Sequence, residues 1–110
     1  MIRNVLVILF AVFIAIPGRV VADDDSEAGQ NLSTICAPCH GATGISPNEL
    51  WPKLAGQGHA YIVKQLKAFR EGTRNDPVMQ PIAQMLSDQD IENLAVYFSA
   101  QTADCPETDQ

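Results

Sequence analysis

The sequence predicts a small all-α domain. Three segments carry apolar residues at the three- and four-residue spacing of a buried helix face: Ala28, Leu32 and Ile35; Ile62, Leu66 and Phe69; and Ile91, Leu94, Ala95 and Phe98. No segment shows the alternation of apolar and polar residues that marks a half-buried strand. The stretches between the helical segments are instead rich in Gly and Pro.

The chain has 110 residues, and its beginning reads as a leader. Met1 to Asn4 carries Arg3 and the amino terminus, Val5 to Ile16 is an unbroken apolar run, and Pro17-Gly18 ends it. Val20-Val21-Ala22 then offers small residues for cleavage, so residues 1–22 have the layout of a secretory signal peptide. The apolar run falls short of the ~20 residues that span a bilayer as a helix, and an uncleaved anchor is the alternative. Cleavage after Ala22 leaves residues 23–110 as one domain, with a core at about 26–101 and an acidic tail at 102–110. A domain of that size buries a modest share of its surface and needs a staple to be stable.

Arg3 and Arg19 depart with the leader, leaving five basic against thirteen acidic residues, a net charge of −8. That balance argues against nucleic acid as a partner. The charge is also segregated. Lys53, Lys64, Lys67, Arg70 and Arg74 all fall in the middle of the chain, while the acids gather at Asp23 to Glu27 and in the last quarter. A solvated surface accounts for this, and so does a dipole that orients the protein as it meets a partner.

The first helix is expected from about Ser26 to Cys36, where Gly29 weakens it unless another backbone passes close. Gly41 to Gly56 holds three Gly and two Pro and reads as a loop, long enough in a small domain to suggest that it wraps something. The second helix is expected over Gly58 to Glu71, with Gly72 as its stop. Thr73 to Gln84 reads as irregular, broken by Asp76-Pro77 and Pro81. Ser87-Asp88-Gln89-Asp90 is a capping box that opens the last helix.

The chemistry lies in Cys36-Ala37-Pro38-Cys39-His40. Two cysteines three apart on a helical turn present both thiols to one edge of a porphyrin, where they add across its vinyl groups. The next residue, a histidine, brings an imidazole under the iron. C-x-x-C-H is therefore read as a c-type haem attachment site. A thioredoxin-like redox pair would need a βαβ context, which is missing. A zinc site would need a second ligand pair at suitable spacing, also missing. A structural disulfide is compatible with export. Export also fits haem attachment, which in bacteria takes place outside the cytoplasm, and a covalent porphyrin is the kind of staple this small core needs.

With these residues in view, the chain resembles the class I bacterial cytochromes c, and in particular one half of the periplasmic diheme cytochromes. The likeness rests on Cys36-Ala37-Pro38-Cys39-His40-Gly41 with Gly44, on Pro52-Lys53-Leu54-Ala55-Gly56-Gln57, and on Tyr61 with Lys64-Gln65-Leu66. It continues through Phe69 to Asp76, then Leu86 to Ile91, Ala95, Tyr97-Phe98 and Gln101. It spans about residues 26–101 but carries one haem motif rather than two, so a two-haem mechanism does not transfer. The resemblance implies the class I cytochrome c fold, with first and last helices crossing near Gly29 and Tyr97/Phe98. It also implies one covalent haem c with iron between His40 and a distal methionine.

Two methionines are available for that role. Met79 lies in the Pro-flanked stretch Pro77-Val78-Met79-Gln80-Pro81, where a loop can aim a sulfur, and it matches the family's ligand position. Met85 adjoins Leu86 at the entry to the last helix, where core filling or a hydrophobic staple is the ordinary role. Met79 is favoured. His59, the one other histidine, starts a helix and is expected at the surface. The resemblance further implies that the Pro52 carbonyl accepts the Nδ1–H of His40 and that Leu54 rests on the haem. Trp51, Tyr61 and Arg74 are candidates to meet the haem propionates, or else ordinary half-buried and surface residues. Cys105 is a leftover cysteine in the tail, suggesting a free thiol or a disulfide-linked dimer.

His/Met ligation closes both axial positions of the iron and raises its potential. The expected function is thus a periplasmic electron carrier and not an enzyme. It would take one electron from a quinol-oxidising complex or a dehydrogenase and deliver it to an acceptor such as a terminal oxidase. A dedicated haem subunit of a periplasmic oxidoreductase is the alternative. An open-site peroxidase or gas sensor would require that Met79 not bind iron.

Overall fold

The computed structural model describes residues 21–103, with side chains from residue 25 onward. The bulk of the leader and the segment holding Cys105 lie outside the described residues, so the expected signal peptide and disulfide fall outside them too. Five helices run in order: α1 (Val21–Leu32), α2 (Ala37–His40), α3 (His59–Glu71), α4 (Met79–Gln84) and α5 (Asp88–Ser99), with a 3₁₀ turn at Ser33–Ile35 between the first two. Among the described residues there is no strand, as the sequence pattern predicts. Nor, among them, is any helix long and apolar enough to cross a membrane.

The expected single helix over Ser26 to Cys36 is in fact three pieces. The α-helix ends at Leu32, tightens into the 3₁₀ turn, and restarts at Ala37. Ser33 Oγ donates to the Gln30 carbonyl at 2.7 Å and Thr34 Oγ1 to the Asn31 carbonyl at 2.9 Å. These hydroxyls compete for carbonyls the α ladder would use. Pro38 sits in the first turn of α2, where its missing N–H costs nothing. One consequence is that Ile35, expected on the core stripe, is 45% exposed.

α1 and α5 cross at Gly29, as expected. A Cβ there would lie 2.1 Å from the Asn93 carbonyl oxygen and 2.8 Å from Tyr97 Cβ, so only glycine lets the two backbones approach this closely. α5 supplies most of the core: Ile91, Leu94, Ala95 and Phe98 are buried on the predicted face, joined by Tyr97. Its start is a complete capping box. Asp90 N–H donates to Ser87 Oγ at 3.0 Å, and Ser87 N–H donates to Asp90 Oδ2 at 2.9 Å. Leu86 before the cap and Ile91 after it both join the core cluster, which makes the hydrophobic staple.

α3 buries Ile62 and Phe69 as its stripe predicts and ends at Gly72, whose backbone is left-handed (φ 80°, ψ 8°). Arg70 fastens it to the start of α5, donating to the Leu86 carbonyl at 3.2 Å and to Asp88 Oδ1 at 2.6 Å.

Two expectations fail between α3 and α5. The stretch Thr73 to Gln84 is not irregular throughout, because Met79–Gln84 is helical. Pro81 is the third residue of α4, inside the first turn, where backbone N–H groups have no intrahelical acceptor, so it does not break the helix. Met85 is neither core filler nor staple. It is 69% exposed, and Leu86 takes the buried position instead.

Candidate haem site

Cys36 follows the 3₁₀ turn and opens α2. His40 N–H donates to the Cys36 carbonyl at 2.9 Å, and Gly41 N–H to the Ala37 carbonyl at 2.9 Å. One closed turn therefore carries Cys36 and Cys39 on one face, at the i, i+3 spacing, with His40 directly after them. Burial pushes the Cys36 thiol up to about 11, helped by the neighbouring Cys39. That is the reverse of the low-pKa cysteine of a dithiol redox motif. Among the described residues, no group of three or more His, Cys, Asp and Glu is placed to hold a metal ion.

His40 is buried, and its Nδ1 lies 2.7 Å from the Pro52 carbonyl oxygen. A carbonyl only accepts, so Nδ1 carries the proton and Nε2 keeps the lone pair that a metal needs. The Pro52 carbonyl thus stands where it accepts from the His40 ring. Its loop is held at both ends by α5: Tyr97 Oη donates to the Ala42 carbonyl at 2.9 Å, and Gly56 N–H donates to the Phe98 carbonyl at 2.9 Å. Within the loop, the Gly44 carbonyl accepts from Leu54 N–H at 2.8 Å and Ala55 N–H at 3.1 Å. Lys53 Nζ donates to the Ala103 carbonyl, tying the loop to the chain beyond α5. Sequence reasoning assigned Tyr97 to the helix crossing and missed its hold on the loop. The available signal was that a buried tyrosine hydroxyl needs an acceptor.

These elements enclose a cavity of about 390 Å³, within the range of roughly 300–1,000 Å³ usual for small-molecule and cofactor sites. Cys36, Cys39, His40, Pro52, Leu54 and Met79 all line it, so the structure brings every predicted site residue together. The rest of the lining is mainly apolar and includes Ile62, Leu66, Phe69, Ile82 and Phe98. Trp51, Tyr61 and Arg74 line it as well. The Arg74 guanidinium lies 4.4 Å from the Phe69 ring centroid and donates to Gln65 Oε1 at 2.8 Å. Met85 and His59 are not part of the lining. His59 Nε2 instead faces Glu92 Oε2 at 3.1 Å on the surface.

Met79 reaches the cavity from the first residue of α4. Asp76 Oδ1 accepts from Val78 N–H at 2.9 Å and from Met79 N–H at 2.8 Å. These two bonds, with a smaller contribution from the Arg74 charge, hold the Asp76 carboxyl below its ordinary range. Sequence reading used Asp76 as part of the stretch that carries the family likeness and as a breaker before Pro77, and gave its carboxylate no role.

Fold and site together define a small helical protein whose mainly apolar cavity presents two thiols and an oriented imidazole. The donor set fits haem: paired thiols for the vinyl groups, a neutral nitrogen, a thioether, and an apolar wall. Comparison with known proteins agrees. A profile of the family described as cytochrome c matches residues 26–101. Cytochrome c4 of Pseudomonas aeruginosa is 39% identical over 98 residues, covering 89% of this chain and 49% of that protein. Cytochrome c-554(548) of Halomonas halodenitrificans is 40% identical over 80 residues, covering 70% of this chain and 96% of that protein. The crystal structure of reduced recombinant cytochrome c4 from Pseudomonas stutzeri superposes with a TM-score of 0.68 at 35% identity, over 73% of this chain and 50% of that one. The chain thus spans about half the length of the cytochromes c4 it matches. It belongs to the cytochrome c family, with the class I fold and covalently bound haem c as its cofactor.

Proposed function

We propose that this protein is a periplasmic electron carrier that passes one electron at a time through a single haem c, its iron held by His40 and Met79. The observation that carries this reading is that Met79 lines the same cavity as Cys36, Cys39 and His40, while Met85 and His59 do not. The haem supplies the one-electron chemistry when bound. Cys36 and Cys39 hold it by thioether bonds, and His40 offers Nε2 because Pro52 has engaged Nδ1. Met79 offers a soft, neutral sulfur, which favours ferrous iron and raises the potential. Leu54, Leu66 and Phe98 keep water from the ring. If His40 and Met79 both bind the iron, no place is left open for oxygen, peroxide or a substrate. Such a site is suited to transfer through the haem edge and not to catalysis.

Export to the periplasm is supported by the leader-like residues 1–22 and by the haem attachment the motif implies, which in bacteria takes place outside the cytoplasm. The donor and acceptor are redox proteins, and the two lysine- and arginine-bearing edges of the cavity, at Lys53 and Arg74, suit anionic partner surfaces. Cys105 is placed by its sequence context to link two copies. A single monomer band on non-reducing electrophoresis would remove that part of the proposal.

The spectrum of the oxidised protein tests the central claim. Methionine-to-iron ligation gives a weak near-red band, expected in the native protein and absent from Met79→Ala. Persistence of the band in that variant would overturn the ligand assignment. Ready binding of carbon monoxide by the native ferrous protein would overturn the closed-site carrier.

A further inference from the structure

We propose that Asp76 is the positioning residue for the distal ligand: it fixes the backbone at Val78 and Met79 and so fixes where the Met79 sulfur stands in the cavity. This rests on the assignment of Met79 made above.

The hydrogen bonds around Asp76 point to this role. Three successive backbone N–H groups converge on that one residue. Val78 and Met79 donate to Oδ1 at 2.9 Å and 2.8 Å, and Gln80 donates to the Asp76 carbonyl oxygen at 3.0 Å. Pro77, between the acid and the N–H groups that donate to it, fixes its own φ and keeps Asp76 out of the helical region, as an N-terminal turn requires. α4 itself has six residues, too few to hold its shape by its own hydrogen bonds. Its far end is fixed by packing, since Ala83 is fully buried. Its near end is not: Val78 is 57% exposed and Pro81 is exposed. The Asp76 bonds are therefore the main restraint at the end of the helix where the ligand sits.

A neutral thioether is a weak donor, so iron–sulfur contact depends on the protein holding the sulfur in place. Sites of this kind need their supporting groups to hold the geometry to within about 0.5 Å. A side chain that organises three donors just before the ligand is suited to that. The acceptor must be an oxygen two bonds beyond Cβ, on a short stem, because the turn closes over only two residues. Asparagine keeps such an oxygen. Alanine removes it. Glutamate keeps the charge but lengthens the stem by one carbon and moves the oxygen away from both N–H groups.

The test compares Asp76→Asn, Asp76→Ala and Asp76→Glu in the haem-loaded protein, reading the near-red band and the rate of carbon monoxide binding to the ferrous form. Asp76→Asn is expected to stay close to the native protein. Asp76→Ala and Asp76→Glu are expected to lose at least half of the band and to bind carbon monoxide about tenfold faster or more. Ser87→Ala, which loosens the cap of α5 without touching α4, should change neither, separating ligand placement from a general loss of stability. If Asp76→Ala fails to load haem, the contrast between Asn and Glu decides. Native band and native rate in both Ala and Glu variants would overturn the proposal. Met79→Ala keeps the two assignments apart: a band that survives there refutes Met79 itself, whereas a band lost there but intact in the Asp76 variants refutes Asp76 alone.

Discussion

Gly29 shows how a single residue can carry a tertiary constraint. In an isolated helix, Gly→Ala stabilises by about 1 kcal/mol. Here the new methyl would stand 2.1 Å from the Asn93 carbonyl oxygen, a backbone atom that cannot swing aside. Overpacking of this sort costs about 1–3 kcal/mol and outweighs the propensity gain. Gly29→Ala is thus expected to lower the melting temperature of the holoprotein by several degrees, and a rise would show that α1 and α5 do not approach this closely. His40 makes a parallel case. Its identity as a ligand was legible from the motif, but which nitrogen faces the metal was not. That depends on the Pro52 carbonyl, twelve residues away in sequence and 2.7 Å away in space.

At the scale of elements, patterns within one helix were readable and joins between helices were not. The capping box of α5 and the stripe of α3 follow from residues a few positions apart, and both are present as expected. The split of the first helix and the existence of α4 turned on side chain–backbone bonds made by Ser33, Thr34 and Asp76, which periodicity does not register. The join between α3 and α5 has a pH dependence of definite sign. A hydrogen bond from Arg70, then the charges of Arg70 and Lys67, lower the Asp88 carboxyl below its ordinary value of 3.8. A carboxyl depressed by folding stabilises the fold above its unfolded pKa, and that contribution fades as pH falls through the lower folded value. Asp88 is well exposed, so the contribution is small. Asp88→Asn is expected to lower the melting temperature of the holoprotein slightly at neutrality and to converge with the native protein as pH falls below 3.8, which flattens the acid limb. An acid limb as steep as the native one would show that this pair does not contribute.

For the whole molecule, the cofactor is part of the core. The cavity of about 390 Å³ is lined mainly by apolar side chains, which without the cofactor face water. A small domain has a net stability of only about 5–15 kcal/mol to set against that exposure. The chain without haem is therefore expected to lack a cooperative fold. Cys36→Ser/Cys39→Ser, produced without haem, should melt broadly, bind a hydrophobic dye and give weak near-ultraviolet dichroism while retaining helix. A sharp two-state transition in that variant would show that the polypeptide alone suffices. Charge is also a property of the whole chain. Lys53 and Arg74 line the cavity, but Arg70 and Lys67 face Asp88 at the start of α5, so the segregation seen in sequence is only partly kept in space.

The sequence by itself determined the helical class, the cofactor and its attachment, because C-x-x-C-H acts within one helical turn and amphipathic stripes and caps are local. It also favoured Met79 over Met85, though it placed Met79 in a loop and Met85 in the core. Only the tertiary structure decided that Met79 starts a helix capped by Asp76, that Met85 is exposed, and that α5 holds the haem loop through Tyr97 and Phe98. The reason is physical. These outcomes depend on hydrogen bonds and burial shared between segments up to 55 residues apart, and such contacts have no period in the chain from which to read them.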